Sequence, residues 1–119
     1  MILVDTSLWI DHLRHGHPEL IRLLEEGQVA MHPMILGELA CGQLPKRPQT
    51  LHLLGNLPRL TPAPDAAVLH ALETHRWFGA GIGWVDAHLL TSALLAQTPL
   101  WTNDSRLQRI ARGVGMAHG

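Results

Sequence analysis

Met1-Ile2-Leu3-Val4-Asp5-Thr6-Ser7 is the stretch that decides how this chain folds. The run Ile2-Leu3-Val4 is apolar on both faces and too short for a helix, so it reads as a buried parallel strand. Asp5 closes the strand. Thr6 or Ser7 then caps a helix through about His15, with Leu8, Trp9 and Leu13 on its inner face.

Outward from that unit, strand and helix alternate. Gly16 stops the first helix, and Pro18 opens a second, Glu19 to Glu26, ended by Gly27. Val29-Ala30-Met31-His32 is a short second strand, and Pro33 opens the helix that carries Glu38. Pro45, Pro48, Pro58, Pro62 and Pro64 punctuate the next stretch, which holds a short helix over Gln49 to Leu54 and a strand around Arg59-Leu60-Thr61. Asp65 caps a helix reaching Trp77, and Gly79-Ala80-Gly81-Ile82-Gly83 is a loop. A long apolar helix from about Trp84 to Gln97 carries Asp86 in its first turn. Pro99-Leu100-Trp101-Thr102 is a strand ended by Asn103-Asp104, and Ser105 to Arg112 is a final helix, with room for one short last strand in Val114 to His118. This alternation calls for an α/β fold with a parallel sheet and right-handed crossovers.

Composition bounds the rest. With 119 residues, the chain is expected to form one domain, residues 1–119. A hydrophobic fraction of 46% with 16% charged residues argues against disorder. The single Cys41 excludes an internal disulfide framework and a zinc–thiolate cluster, and fits a reducing cytoplasm. No apolar run approaches membrane-spanning length, and no basic region precedes a signal-peptide core, so a soluble cytoplasmic protein is expected.

Four acids stand out because each interrupts or ends an apolar run. Asp5 closes Ile2-Leu3-Val4, and Glu38 lies inside Met34-Ile35-Leu36-Gly37-Glu38-Leu39-Ala40. Asp86 lies in Trp84-Val85-Asp86-Ala87, and Asp104 follows Leu100-Trp101-Thr102-Asn103. A buried, unpaired carboxylate costs several kcal/mol, and Arg106 is the only Lys or Arg near any of them in sequence. A cation from solution is the remaining partner, and an all-oxygen set suits Mg2+ or Mn2+. The overall formal charge of -1 changes meaning if these acids hold metal. Nine bases against the six remaining acids leave about +3, and eight of the nine are Arg, which permits a polyanionic substrate. Asp5 and Asp104 close two strands, so adjacency of those strands would make their carboxylates face each other beyond the sheet.

These residues carry a resemblance. Val4-Asp5-Thr6-Ser7, Gly37-Glu38-Leu39-Ala40-Cys41-Gly42, Trp84-Val85-Asp86-Ala87-His88-Leu89-Leu90 and Trp101-Thr102-Asn103-Asp104 resemble, in order and over nearly the whole chain, the acidic motifs of the PIN-domain ribonucleases, and within them the VapC toxins of bacterial toxin–antitoxin pairs. The resemblance implies a three-layer fold in which a parallel sheet of about five short strands lies between helices. It also implies a Mg2+- or Mn2+-dependent endoribonuclease that cuts RNA. Asp5, Glu38, Asp86 and Asp104 would be its catalytic and metal-binding quartet, with Ser7 and Thr102 as supporting polar groups. A homodimer and a small VapB-like antitoxin are implied as well. A natural inhibitor of a four-carboxylate pocket is an inserted Arg or Lys, with an apolar helix laid near Trp9 and Leu13.

Blander readings stand beside these. Asp5, Asp86 and Asp104 could each be a helix cap, with Ser105 a rival to Asp104, and Glu38 could be a solvated helix residue. His88 lies two residues from Asp86 and faces elsewhere, which suits packing better than ligation. Arg106, Arg109 and Arg112 recur every three residues on the final helix, either as a solvated face or as RNA contacts. The four Trp suit core and dimer surface better than a base-stacking platform. A receiver domain needs a lysine near its last strand, and the only lysine is Lys46. A catalytically inactive binding module of the same fold and a DNA-directed metal nuclease are the remaining alternatives.

Overall fold

A computed structural model describes all residues 1–119. The opening strand β1 (Ile2–Val4) lies at the centre of the sheet, flanked by β2 (Val29–Ala30) and β3 (Leu100–Trp101). Both pairings are parallel: Ile2 and Leu3 align with Val29 and Ala30, and Leu3 and Val4 with Leu100 and Trp101. Single parallel bridges extend the sheet on either side, Met31 to Arg59 and Leu100 to Ala117. These are the positions where the remaining two of about five short strands were expected. Neither pairs over enough residues to be a regular strand.

Adjacent β1 residues Leu3 and Val4 point to opposite faces, yet both are 0% exposed. The sheet is therefore covered on both sides, which is the three-layer architecture. The covering helices are α1 (Thr6–His15), α2 (Pro18–Glu25), α3 (Pro33–Cys41), α4 (Arg47–Gly55), α5 (Asp65–Thr74), α6 (Trp84–Ala96) and α7 (Ser105–Gly113). The core joins Leu3, Val4, Leu8, Trp9, Leu20, Ile35, Leu89, Leu90, Leu100 and Leu107 in one cluster. Helix α6 is the most deeply set, with every residue from Ala87 to Ala93 buried. Trp9 and Trp77 belong to the core, whereas Trp84 is exposed.

Three helix starts differ from the sequence reading. Asp5, not Thr6 or Ser7, holds the N-cap position of α1, and its side chain makes no capping hydrogen bond. Pro64 occupies that position for α5, placing Asp65 in the first turn, and the helix stops at Thr74 rather than Trp77. The Asp65 carboxylate is engaged elsewhere, 2.9 Å from His88 Nε2 on α6. Pro48 lies inside the first turn of α4, so that helix starts before Gln49, where proline's missing N–H costs nothing.

Candidate metal centre

Strand order brings the ends of the chain together at one edge of the sheet. Because β1 and β3 are neighbours, Asp5 and Thr102 follow paired strands, and the Asp5 N–H donates to the Trp101 carbonyl at 2.9 Å. Asp5 is buried, and its Oδ2 accepts from Thr102 Oγ1 at 2.7 Å and from Ser7 Oγ at 3.0 Å. Each hydroxyl spends its only proton on Asp5 and is then free to accept. Ser7 Oγ receives the Asn103 N–H at 3.0 Å, and Thr102 Oγ1 receives the Asp104 N–H at 3.0 Å. Two relays of backbone amide, hydroxyl and carboxylate thus fix the turn after β3 against Asp5.

The other three acids arrive on helices. Asp104 caps α7: its Oδ1 accepts from the N–H groups of Arg106 at 2.9 Å and Leu107 at 3.1 Å. Its second oxygen is not engaged in the cap. Asp86 is half-buried in the first turn of α6, where the helix dipole favours negative charge. Glu38 is exposed on α3, and its Oε1 accepts from Thr6 Oγ1 at 2.6 Å. Thr6 was missed as a member of this group. Its only signal was adjacency to Asp5, since its partner lies 32 residues away.

Electrostatics tie the four together. The Asp86 carboxyl is pushed above its ordinary range, first by burial and next by the charge of Asp5, with Asp104 and Glu38 adding to the rise; a backbone hydrogen bond from Gly83 pulls the other way. None of the ion pairs in the molecule involves any of the four acids. As the side chains stand, no three His, Cys, Asp or Glu groups converge to a ready ligand shell. The donor chemistry nonetheless fits a hard divalent cation: oxygen throughout, a buried carboxylate with an oxygen unspent, and mutual repulsion that a positive ion would relieve.

His88 takes no part. It is 3% exposed, bonded to Asp65, and packed edge-on against Trp84 at 4.6 Å. Arg106, Arg109 and Arg112 are exposed on α7 and form no ion pairs. A buried polar pair away from the acids also escaped the sequence reading. His32 caps α3 by accepting the Met34 N–H on Nδ1 at 3.1 Å, which leaves the proton on Nε2, 3.1 Å from Ser92 Oγ.

A family model of the PIN domain matches residues 2–113, and the chain belongs to that family. Within it the likeness is to the VapC branch. The chain is 42% identical over 118 residues to Ribonuclease VapC32 of Mycobacterium tuberculosis, in both strain CDC 1551 / Oshkosh and strain H37Rv, an alignment that covers 98% of this chain and 95% of the relative. The fold is shared with PAE2754 of Pyrobaculum aerophilum, with a TM-score of 0.68, 17% identity, and coverage of 94% of this chain and 85% of that one. FitAcB of Neisseria gonorrhoeae matches with a TM-score of 0.64 and 20% identity over 94% of each chain.

Proposed function

We propose that this protein is a Mg2+- or Mn2+-dependent endoribonuclease toxin, hydrolysing RNA phosphodiester bonds at Asp5, Glu38, Asp86 and Asp104 and held in check by a small VapB-like antitoxin. The observation that carries the reading is the meeting of four acids with no Lys or Arg paired to any of them: the Asp86 carboxyl is raised first by burial and then by the charges of Asp5, Asp104 and Glu38. The 42% identical relative is a ribonuclease, which supports the reaction class.

The bound cation would lower the pKa of a water and offset phosphate charge. The chain's own groups do the positioning. Asp5 and Asp104 would be the principal ligands, Asp5 locked by Ser7 and Thr102 so that one oxygen is committed and the other is free. Asp104 offers the oxygen left over from its cap. Asp86 and Glu38 complete the set directly or through water, with Thr6 orienting Glu38.

The antitoxin proposal rests on surface shape as well as charge. An apolar groove lined by Trp9, Leu13, Leu24, Leu53, Leu54 and Leu57 adjoins, through Leu13, a cavity that reaches Glu38. A partner helix in the first would deliver an Arg through the second towards the acids. Exposed Leu69, Phe78, Trp84 and Leu95 on and between α5 and α6 support a homodimer. No helix is long and apolar enough to cross a membrane. A cytoplasmic site of action is part of the proposal.

The test is incubation of the purified chain with labelled transfer and ribosomal RNAs, with Mg2+ or with EDTA. Cleavage that requires Mg2+ is the expected result, and cleavage undiminished in excess EDTA would overturn the metal assignment.

A further inference from the structure

Gly81 and Arg106 come from distant parts of the chain and meet near the starts of α6 and α7. A Cβ placed on Gly81 would stand 3.0 Å from Arg106 Cδ, 3.3 Å from Nη1 and 3.4 Å from Nε. The arginine stem and guanidinium therefore lie against bare backbone, closer than a Cβ at that position ordinarily tolerates. Gly81 also has φ +84°, a left-handed conformation that L side chains rarely adopt.

The place of this contact gives it meaning. Gly81 stands two residues before Gly83, the N-cap of α6, whose first turn carries Asp86. Arg106 stands two residues after Asp104, the N-cap of α7. The contact thus joins the N-terminal ends of the two helices that bring Asp86 and Asp104. Arg106 stands two residues from Asp104 in the chain, yet its guanidinium forms no ion pair and its side chain lies against the glycine. An exposed guanidinium with unspent donors, lying between the starts of the helices that carry Asp86 and Asp104, is suited to forked hydrogen bonding with a phosphate.

We propose that Arg106, seated on Gly81, grips a phosphate of the RNA beside the bond being cut, and that Gly81 is required because it keeps that seat open. The proposal rests on the ribonuclease reading above and gives one arginine of the α7 row a distinct role. Arg109 and Arg112 share the exposed face of α7 but are not among the nearest atoms to any glycine position.

The test compares Arg106→Met, Arg106→Lys, Gly81→Ala, the double variant Arg106→Met with Gly81→Ala, and Gly79→Ala. Gly79 is the strain control: its φ is +69°, but nothing lies within 4 Å of an added Cβ. Cleavage of a labelled single-stranded RNA in Mg2+ is followed over a range of salt, with anisotropy of a fluorescent RNA in EDTA as a binding readout. Arg106→Met and Gly81→Ala should each raise KM roughly tenfold or more, with kcat changed little, as for loss of a charged hydrogen bond. Each should also reduce the slope of log KM against log salt by about 0.7, one single-strand phosphate contact. The double variant should be no worse than either single change, Arg106→Lys should recover part of the loss, and Gly79→Ala should cut RNA like the parent.

Unchanged KM and salt slope in Arg106→Met, or additive losses in the double variant, would overturn the proposal while leaving the nuclease reading intact. If Gly81→Ala does not fold, Arg106→Met and Arg106→Lys decide alone. A parent chain that neither cuts nor binds RNA would instead overturn the reading on which this one rests.

Discussion

Among the acids, Asp86 is the one out of balance with its surroundings. Its carboxyl binds a proton more tightly folded than unfolded, so its ionised form opposes folding, and stability is lost as pH rises through its raised pKa. Asp86→Asn removes one of four crowded charges. It should keep or raise the melting temperature without metal while abolishing RNA cleavage; a lowered melting temperature would show that repulsion does not dominate there. Thr102 makes the opposite kind of contribution. Thr102→Val leaves Asp5 short of a donor and the Asp104 N–H short of an acceptor, at a cost of about 1–3 kcal/mol in thermal or urea unfolding, with reduced cleavage. Thr102→Ser should restore both. The acids were legible in the sequence because a charge inside an apolar run needs a reason. The hydroxyl relays were legible only as types of residue, since Thr102 and Asp5 are 97 positions apart.

At the scale of elements, two caps carry separable predictions. Asp104→Asn retains an oxygen able to cap α7, so the fold should survive while activity is lost. Asp104→Ala should lose activity and also about 0.5–2 kcal/mol of stability by urea unfolding. His32 ties the start of α3 to α6 through Ser92, and burial, then His88, lowers its pKa to about 4. With the folded value below the unfolded 6.5, an unfolded chain takes up a proton that the folded one refuses. Stability should therefore fall as pH drops from 6.5 to about 4, by up to ~3 kcal/mol, partly offset at the acid end by protonation of Asp86. His32→Asn, which keeps a capping acceptor, should flatten that pH profile. The stop of α1 and the starts of α2, α3 and α6 follow from Gly, Pro and apolar spacing. The start of α5 did not, because Asp65 looked like a cap and its long-range partner His88 was invisible. The outer strands were expected where single bridges form, since pattern marks extended chain but not how many partners it finds.

On the scale of the whole molecule, the exposed apolar residues of α5 and α6 and the apolar groove beside α1 point to partners. Sedimentation at micromolar concentration should give a dimer without antitoxin; monomer alone would count against it. Expression of the chain by itself should arrest growth, and co-expression with the neighbouring small gene should restore it. Normal growth with folded, undegraded protein would remove the toxin assignment. The central place of β1 bears on when such a protein becomes dangerous. The first strand made is paired on one side by nearly the last, and Asp5 is locked by Thr102. A ribosome must therefore release almost the entire chain before the acids can assemble, so on the proposed toxin reading a nascent or truncated product would be harmless and an antitoxin would need to meet only finished molecules.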